Sequence, residues 1–199
     1  MDILHIIRTR RSVGKVRSEL PARADIEAML EAATYAPNHH KVEPWRFIVL
    51  TGTGRDRLAD VWADIERTKH ADPTSDAAQR AATGVRAKAY RAPVIIVAIA
   101  EPPSGPKVVA AENTEAVAAA VQNMLLVAES RGLGAMWRTG EVAHDPRTPA
   151  AFGLSSDHII VGFIYVGYPA AEPSPRRLAP HHAKTDWWGD VEGDYSEPA

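Results

Sequence analysis

The 199-residue chain carries 23 basic and 25 acidic residues, and its net charge of −2 argues against a protein that binds nucleic acid through a broad basic surface. It has no cysteine, which excludes disulfides, thiolate nucleophiles and iron–sulfur ligation by cysteine. An apolar fraction of 45% at this length is typical of a globular protein with a sizeable core.

The first half of the chain predicts helices and a single strand. A short helix is expected over 2–8, with Arg8, Arg10 and Arg11 at and just beyond its end. Residues 22–35 predict a longer helix, because apolar side chains recur along it with the spacing of one helix face. The elements expected next are a strand at 46–52, a helix at 54–68, a mobile polar loop at 69–78 and a helix at 79–90.

The second half contains the most apolar segments. Residues 92–100 are apolar almost throughout, which is typical of a strand with both faces buried. A long helix is expected over 113–131, with Asn113 or Thr114 as its N-cap and Gly132 after its end. Its apolar positions cover nearly the whole circumference, so we expect burial on all sides, with another subunit able to supply one of them. Further strands are expected at 134–140 and 158–169.

The long helix also contains the most apolar stretch of the chain, at 116–128. This stretch is too short to span a bilayer and is interrupted by Gln122 and Asn123, so we expect no membrane-spanning segment. The amino terminus lacks the long apolar core of a signal peptide. We therefore expect a cytoplasmic protein that does not associate with a membrane.

The order of these elements predicts the fold class. Strands and helices do not alternate strictly, and no linker separates two cores. This pattern favours an α+β fold in which a mostly antiparallel or mixed sheet lies between helical layers. We assign residues 1–170 to this domain. Residues 171–199 show no helical or strand period and include the pair Trp187–Trp188, so we expect them to wrap over another surface.

Several motifs occur in an order that points to one family. Arg10-Arg11-Ser12 follows the first helix, and the stretch EAATYAPNHHKVEPWRFIVL combines a helix end, Ala-Pro, a polar loop, Pro-Trp and a strand. The stretches GLGAMWRTG and IIVGFIYVGYP follow in the positions of the last two strands. From about residue 3 to 170, the chain resembles the flavin-dependent nitroreductase family, in particular its small members.

The resemblance implies a fold, a cofactor and an activity. Members of this family are intertwined homodimers with an α+β sandwich fold and two FMN sites at the subunit interface. Their flavin takes a hydride from NADH or NADPH at N5 and passes it to a nitroaromatic, a quinone or a similar acceptor. We therefore expect an FMN-dependent NAD(P)H oxidoreductase with a ping-pong mechanism, in which the flavin carries the chemistry and no side chain is an obligatory acid.

The arginine cluster has two interpretations from the residues alone. It could be a solvated helix end, where basic side chains are favourable. Alternatively, guanidinium groups and a hydroxyl could bind a phosphate through charge-assisted hydrogen bonds. In the similar family, the residues corresponding to Arg10, Arg11 and Ser12 contact the phosphate and ribityl chain of FMN. Whether Arg176 and Arg177 in the tail also reach the phosphate is left open.

The loop after the second helix is expected to reach the flavin of the other subunit. The resemblance assigns this contact to His39, with Tyr35 in range. The adjacent histidines lack the spacing of metal ligands, so we expect no metal. The family often has Ser, Asn and Gln where this chain has Asn38, Lys41 and Glu43, a departure that leaves the contacts to the ring edge open.

The segment WRTG at 137–140 could be no more than a strand end followed by a turn. Under the resemblance, it lies alongside the flavin ring instead, with Trp137, Arg138 and Thr139 as contacts. A backbone N–H near Thr139 or Gly140 is then expected to reach N5.

Two functions other than reduction remain open. An FMN-binding carrier or sensor without reductase turnover would need the same binding residues. A nucleic-acid binder is disfavoured, because the chain is slightly acidic and aromatic residues are not interleaved with the arginine cluster. The partners we expect are a second copy of the chain and a small-molecule acceptor.

Overall fold

The computed structural model describes residues 2–174 and 178–188. Its α-helices are α1 (Ile3–Thr9), α2 (Arg23–Thr34), α3 (Gly54–Arg67), α4 (Asp76–Arg86), α5 (Ala110–Ser130), α6 (Glu141–His144) and α7 (Arg147–Ala150). Its strands are β1 (Trp45–Thr51), β2 (Val94–Ala100), β3 (Gly134–Arg138) and β4 (Ile159–Gly167). Short 3-10 turns lie at His39–Lys41, Ala87–Tyr90 and His181–Lys184.

The strands form one sheet in the order β1-β2-β4-β3, and each neighbouring pair is antiparallel. This confirms the predicted α+β class. Every residue of β2 is buried, as expected for a strand that is apolar on both faces. The register places Val97 beside Ile48 of β1 and Phe163 of β4, so β2 lies at the centre of the sheet.

The sheet separates two apolar cores because side chains alternate between its faces. On β2, Ile96 and Ala98 belong to the core beneath α2 and α5. Ile95 and Val97 belong to the core beneath α3, where Trp62 packs edge-on against Phe163 with 4.9 Å between ring centroids. The helical layers on both faces match the sandwich that the sequence predicted.

The long helix starts earlier than predicted. We expected an N-cap at Asn113 or Thr114, but α5 begins at Ala110, and Asn113 lies inside it as a buried residue. The Asn113 side-chain amide donates to the backbone carbonyl of Glu101, which explains why a capping residue occurs in a helix interior. The end is as predicted, since Gly132 adopts φ of 70° immediately after the helix terminates.

Within a single chain, α5 is covered on most of its sides but not on all of them. The sheet and α2 cover most of the helix, but Gln122 is exposed and Ala118, Ala119 and Leu126 are half-buried. One side of α5 is therefore not covered by the residues that the structure describes. The helix α1 leaves apolar surface exposed as well, at Ile3, Leu4 and Ile7.

Other boundaries move by a few residues. The helix expected at 79–90 begins at Asp76, because the Ser75 hydroxyl accepts a hydrogen bond from the Ala78 amide and caps its start. It ends at Arg86 and continues as the 3-10 turn Ala87–Tyr90. The short helices α6 and α7 were not predicted, since four residues are too few to show a period. In the described ranges, no helix has the length and apolarity that crossing a membrane requires.

Candidate active site

The segment that contains the arginine motif runs alongside β3. Arg10 ends α1 with an extended ψ of 132°, which turns the chain away from the helix axis. Ser12 then forms a parallel bridge with Ala135 of β3, and the Val13 amide donates to the Ala135 carbonyl at 3.0 Å. The motif is thereby fixed beside the strand that leads to residues 137–140.

Arg11 has the structural role that the first interpretation proposed for the cluster. Its guanidinium donates from Nη1 to the carbonyls of Arg8, Thr9 and Arg10, at 2.8, 3.0 and 2.9 Å. Its Nε donates to the carbonyl of Ser174 at 3.2 Å. Arg11 therefore places positive charge on the carboxyl end of α1 and ties the start of the tail to the domain.

Arg10 and Ser12 are available for a ligand. Within residues 2–174 and 178–188, neither side chain has a hydrogen-bond or ion-pair partner, and Ser12 is exposed. A cavity of about 400 Å³, which we name cavity A, lies between this segment and the start of the tail. It is lined by Arg11, Ser12, Val13, Gly14, Lys15, Ala171, Glu172, Pro173 and Ser174. Lys15 adds a cation that the sequence analysis did not single out.

A second cavity of about 400 Å³, which we name cavity B, lies at the carboxyl end of β3. It is lined by Trp62, Glu66, Lys69, Val85, Lys88, Arg91, Arg138, Thr139, Gly140, Glu141, Val142, Phe163 and Tyr165. The cavity therefore combines aromatic side chains from α3 and β4 with basic side chains from β3 and from the turn that follows α4. Of the expected site residues, Arg138 and Thr139 line this cavity.

Cavity B contains uncompensated positive charge. Lys88, Arg91 and Arg138 have no acidic partner among the described residues. The Arg138 guanidinium lies 5.5 Å from the centroid of the Tyr165 ring, in cation–π contact. Burial raises the pKa of Tyr165 to about 12, and the nearby Arg138 and Arg91 oppose that rise. The cavity is therefore suited to a flat, polar or anionic group rather than to a cation.

Lys69 differs from the other cations of cavity B. Its ammonium pairs with the carboxylates of Glu66 at 3.0 Å and Glu141 at 2.5 Å. The hydrogen bond that Lys69 donates to Glu141, and secondly the one it donates to Glu66, raises the pKa of Lys69. The same bond to Lys69 lowers the pKa of Glu141. Lys69 thus joins the end of α3 to the start of α6 at the cavity.

The two cavities adjoin at Gly14 and Arg138. A Cβ on Gly14 would lie 3.2 Å from the Met136 sulfur and 3.4 Å from Nη2 of Arg138. Gly14 lines cavity A and Arg138 lines cavity B, so the Arg138 guanidinium lies at the boundary between them. The linings of the two cavities are therefore in contact at these two residues.

Trp137 lies on the other side of β3 from Arg138. Its indole Nε1 donates to the Val161 carbonyl at 3.1 Å, and its ring is half-buried against the core beneath α5. The acceptor is free because β4 bulges there: Gly162 pairs with Ala98 and Ile160 pairs with Ile99, which leaves Val161 as the extra residue. The indole N–H is thus committed to the backbone, and the expected flavin contact of Trp137 stays a prediction.

Thr139 and Gly140 line cavity B. No acceptor for either N–H is found in the described part of the chain. Gly140 has φ of 123° and ψ of 179°, a conformation open essentially to glycine alone. Both N–H groups therefore lack an acceptor among the described residues, and the expected contact of one of them with flavin N5 stays a prediction.

Tyr35 and His39 are not brought to either cavity within one chain. The Tyr35 side chain is 77% exposed at the end of α2. His39 is exposed and lines a separate cavity of about 320 Å³ with Glu112 and Glu115 of α5. Their expected contact with the flavin of another subunit stays a prediction.

The loop that contains His39 is held in an unusual conformation. His40, Lys41 and Glu43 have φ of 57°, 54° and 48°, in the left-handed region that non-glycine residues rarely adopt. The Asn38 side chain accepts from the Glu43 amide at 3.0 Å and closes the loop. Among residues 2–174 and 178–188, no cluster of three or more His, Asp or Glu side chains is suited to hold a metal ion. Arg176 and Arg177 lie outside the described residues.

Lys88 and Arg91 were missed because they lie far along the sequence from the other site residues, whereas Lys15 was missed although it lies only three residues after Ser12. Lys88 and Arg91 lie in and just after the 3-10 turn Ala87–Tyr90, about 50 residues before Arg138. No local spacing links them to the arginine motif or to WRTG. Only the packing of that turn against α3 brings their charge to the cavity.

Comparisons with known proteins agree with this arrangement. The family model described as "Nitroreductase family" matches residues 7–168. The Escherichia coli protein named "Putative NAD(P)H nitroreductase YdjA" is 32% identical over 174 residues, which cover 87% of this chain and 92% of that protein.

Solved structures share the fold. A nitroreductase-like family protein of Bacillus cereus superimposes with a TM-score of 0.81 at 26% identity, over 97% of each chain. A nitroreductase of Bacteroides fragilis with bound FMN superimposes with a TM-score of 0.71 at 22% identity, over 95% of this chain and 100% of that one. Since the family model spans most of the chain and a curated relative exceeds 30% identity over most of both lengths, the protein belongs to the nitroreductase family, a family of oxidoreductases.

Proposed function

We propose that the protein is an FMN-dependent NAD(P)H oxidoreductase that reduces a nitroaromatic, a quinone or a similar acceptor by a ping-pong mechanism. The observation that carries this proposal is the junction of cavities A and B at Gly14 and Arg138. One cavity offers phosphate-binding groups and the other offers an aromatic, cationic pocket. The name of the Escherichia coli relative and the FMN bound to the Bacteroides fragilis protein support the same choice of cofactors.

The residues of cavity A and the arginine motif fit a phosphate. The Arg10 guanidinium, the Ser12 hydroxyl and the Lys15 ammonium have no partners within the described ranges, so they can donate to phosphate oxygens. Arg11 adds positive charge, although its hydrogen bonds go to backbone carbonyls. In this assignment, Arg10 and Ser12 bind the ligand, and Arg11 shapes the segment that carries them.

The residues of cavity B fit the ring of a flavin. Lys88, Arg91 and Arg138 supply positive charge that stabilises negative charge on a reduced ring. The backbone N–H groups of Thr139 and Gly140 supply neutral donors at the same place. When bound, FMN supplies the redox chemistry, since its N5 accepts a hydride from NADH or NADPH and its reduced ring then reduces the acceptor.

The protein contributes binding and orientation rather than acid–base chemistry in this scheme. Cavity B contains no histidine, and its carboxylates, Glu66 and Glu141, are both paired with Lys69. We therefore assign no side chain as an obligatory general acid, and water supplies protons to the acceptor. Tyr165 holds its own proton, because burial raises its pKa to about 12.

We further propose a homodimer in which each site is completed by the other subunit. Tyr35 and His39 are exposed and lie away from cavities A and B, so they are free to reach the site of a second copy. The uncovered side of α5 and the apolar surface of α1 are suited to the interface between the copies. In this proposal, residues 1–170 form the flavin-binding domain and the tail from 171 wraps the partner.

The test begins with the purified protein and added FMN. We expect a yellow protein that retains flavin through gel filtration, and whose flavin absorption bleaches within seconds when NADH or NADPH is added without oxygen. Addition of a quinone or nitroaromatic should then restore the absorption. Retention of flavin without bleaching would favour the carrier or sensor, and failure to retain FMN when it is in excess would contradict both.

A further inference from the structure

The backbone that follows β3 is tied to the end of α3 at both ends of α6. At the start, the Lys69 ammonium pairs with the Glu141 carboxylate at 2.5 Å. Beyond the helix, the Arg147 guanidinium donates to the Thr68 hydroxyl at 3.2 Å. Thr68 and Lys69 are therefore adjacent residues that hold the two ends of the same short segment.

The segment at Glu141 cannot hold its own conformation. The helix α6 has four residues, which is too short to be stable without tertiary contacts. It starts from Gly140, whose φ of 123° is one of many conformations available to glycine. The Ala143 amide donates to the Gly140 carbonyl at 2.9 Å. This hydrogen bond therefore reports on the conformation of the segment.

We propose that Lys69 is a positioning residue for the flavin site, acting through Glu141 to fix the orientation of the Thr139–Gly140 backbone. Its ammonium is engaged by two carboxylates, unlike those of Lys88 and Lys15. Glu141 directly follows the two residues whose N–H groups are available at cavity B. The role of Lys69 in flavin binding rests on the proposed function. Its effect on the Thr139–Gly140 backbone does not.

The solvent exposure of the Lys69 and Glu141 side chains limits the expected effect of breaking their ion pair. The Lys69 and Glu141 side chains are 42% and 80% exposed, so solvent screens their attraction. Breaking the pair should increase local opening by about two- to five-fold rather than unfold the protein. Glu66 binds the same Lys69 ammonium but lies in α3 rather than in the segment after β3, and its side chain is 21% exposed. Glu66→Gln therefore removes a carboxylate partner of Lys69 without breaking the pair with Glu141.

The experiment compares Lys69→Met, Glu141→Gln, the double variant, Lys69→Arg and the control Glu66→Gln. The first readout is hydrogen exchange of the Ala143 amide in flavin-free protein, measured by NMR. We expect exchange about two- to five-fold faster in Lys69→Met and Glu141→Gln, no further increase in the double variant, and wild-type exchange in Lys69→Arg and Glu66→Gln. The second readout is the dissociation constant for FMN, which should rise in Lys69→Met and Glu141→Gln and stay at the wild-type value in Lys69→Arg. Glu66→Gln is a control for the exchange readout alone, because Glu66 itself lines cavity B.

The outcomes separate the two proposals. Unchanged Ala143 exchange in Lys69→Met, or an equal increase in Glu66→Gln, would overturn the positioning role. Faster exchange with an unchanged FMN dissociation constant would also overturn it, because the backbone would then not bear on the flavin. If the wild-type protein does not bind FMN at all, the proposed function fails, and the exchange readout alone decides whether Lys69 holds the segment.

Discussion

The Trp137 indole occupies the space that a side chain at position 162 would need. A Cβ built on Gly162 would lie 2.1 Å from Nε1 and 2.5 Å from Cδ1 of Trp137, and 3.0 Å from the Arg138 carbonyl. The bulge at Val161 provides the carbonyl that accepts the indole N–H. Gly162 and the bulge together set the path of β3 just before Arg138 enters cavity B.

We predict that Gly162→Ala destabilises the protein by about 1–3 kcal/mol, because the added methyl group overpacks a site bounded by backbone on one side. Urea denaturation would measure this loss. The control is Gly84→Ala in α4, where a Cβ meets nothing within 4 Å, so it should stabilise by about 0.5–1 kcal/mol. Equal stability of Gly162→Ala and wild type would show that Trp137 repacks without cost.

A second prediction concerns the arginine motif. Arg10→Ala should raise the dissociation constant for FMN about 10- to 100-fold, because a phosphate loses a charge-assisted partner worth about 1.5–3 kcal/mol. Fluorescence titration of flavin-free protein would measure the change. Arg8→Ala is the matched control, since Arg8 is an exposed arginine of α1 that lies outside the Arg10-Arg11-Ser12 motif. Equal affinities of the two variants would remove Arg10 from the site.

The sequence predicted best those elements whose residues are all buried in the same way. Residues 92–100 are apolar along most of their length. Residues 94–100 among them form the central strand, because a strand that is apolar on both faces is stable only where both faces are buried. Boundaries were less predictable where a single tertiary bond decides them. Asn113 looked like a helix cap, and only its bond to the Glu101 carbonyl shows why it lies inside α5.

The candidate site was predictable where its residues are contiguous. The arginine motif and WRTG were found as short strings, and the structure places Arg11 and Ser12 at cavity A and Arg138, Thr139 and Gly140 at cavity B. Arg10 and Trp137 line neither cavity. The cations Lys88 and Arg91 could not be found in this way, since they join the site only through the packing of their turn against α3. The separate roles of Arg11 and Trp137, each with a hydrogen bond to backbone, depend on the loop path and the β-bulge, which no residue pattern encodes.

A third prediction concerns stability at alkaline pH. Burial raises the pKa of Tyr165 from 10.0 to about 12, so the unfolded chain releases this proton before the folded one does. Below pH 10 both states hold the proton, and the contribution of Tyr165 to stability is fully present. As the pH rises towards 12, unfolding becomes easier by about 1.4 kcal/mol per pH unit.

Tyr165→Phe tests this contribution because phenylalanine has no proton to release. The difference in free energy of unfolding between wild type and Tyr165→Phe should shift by about 1 kcal/mol in favour of the variant between pH 9 and pH 11. Groups common to both proteins cancel in this comparison. A difference that stays constant over this range would mean that Tyr165 ionises as easily in the folded protein as in the unfolded chain.

The last prediction concerns the tail. The Trp188 side chain is 94% exposed in the single chain, so its removal should cost the monomer nothing. If the tail wraps a second copy, the indole becomes a buried anchor, and Trp188→Ala should weaken the dimer by about 2 kcal/mol, or roughly 30-fold in its dissociation constant. Sedimentation velocity over a dilution series would measure this constant.

Lys184→Ala, also at an exposed tail position, is the control. Identical dissociation constants for the Trp188 variant and wild type would show that the indole lies outside the interface, because an anchoring tryptophan cannot be removed from a dimer without loss of affinity.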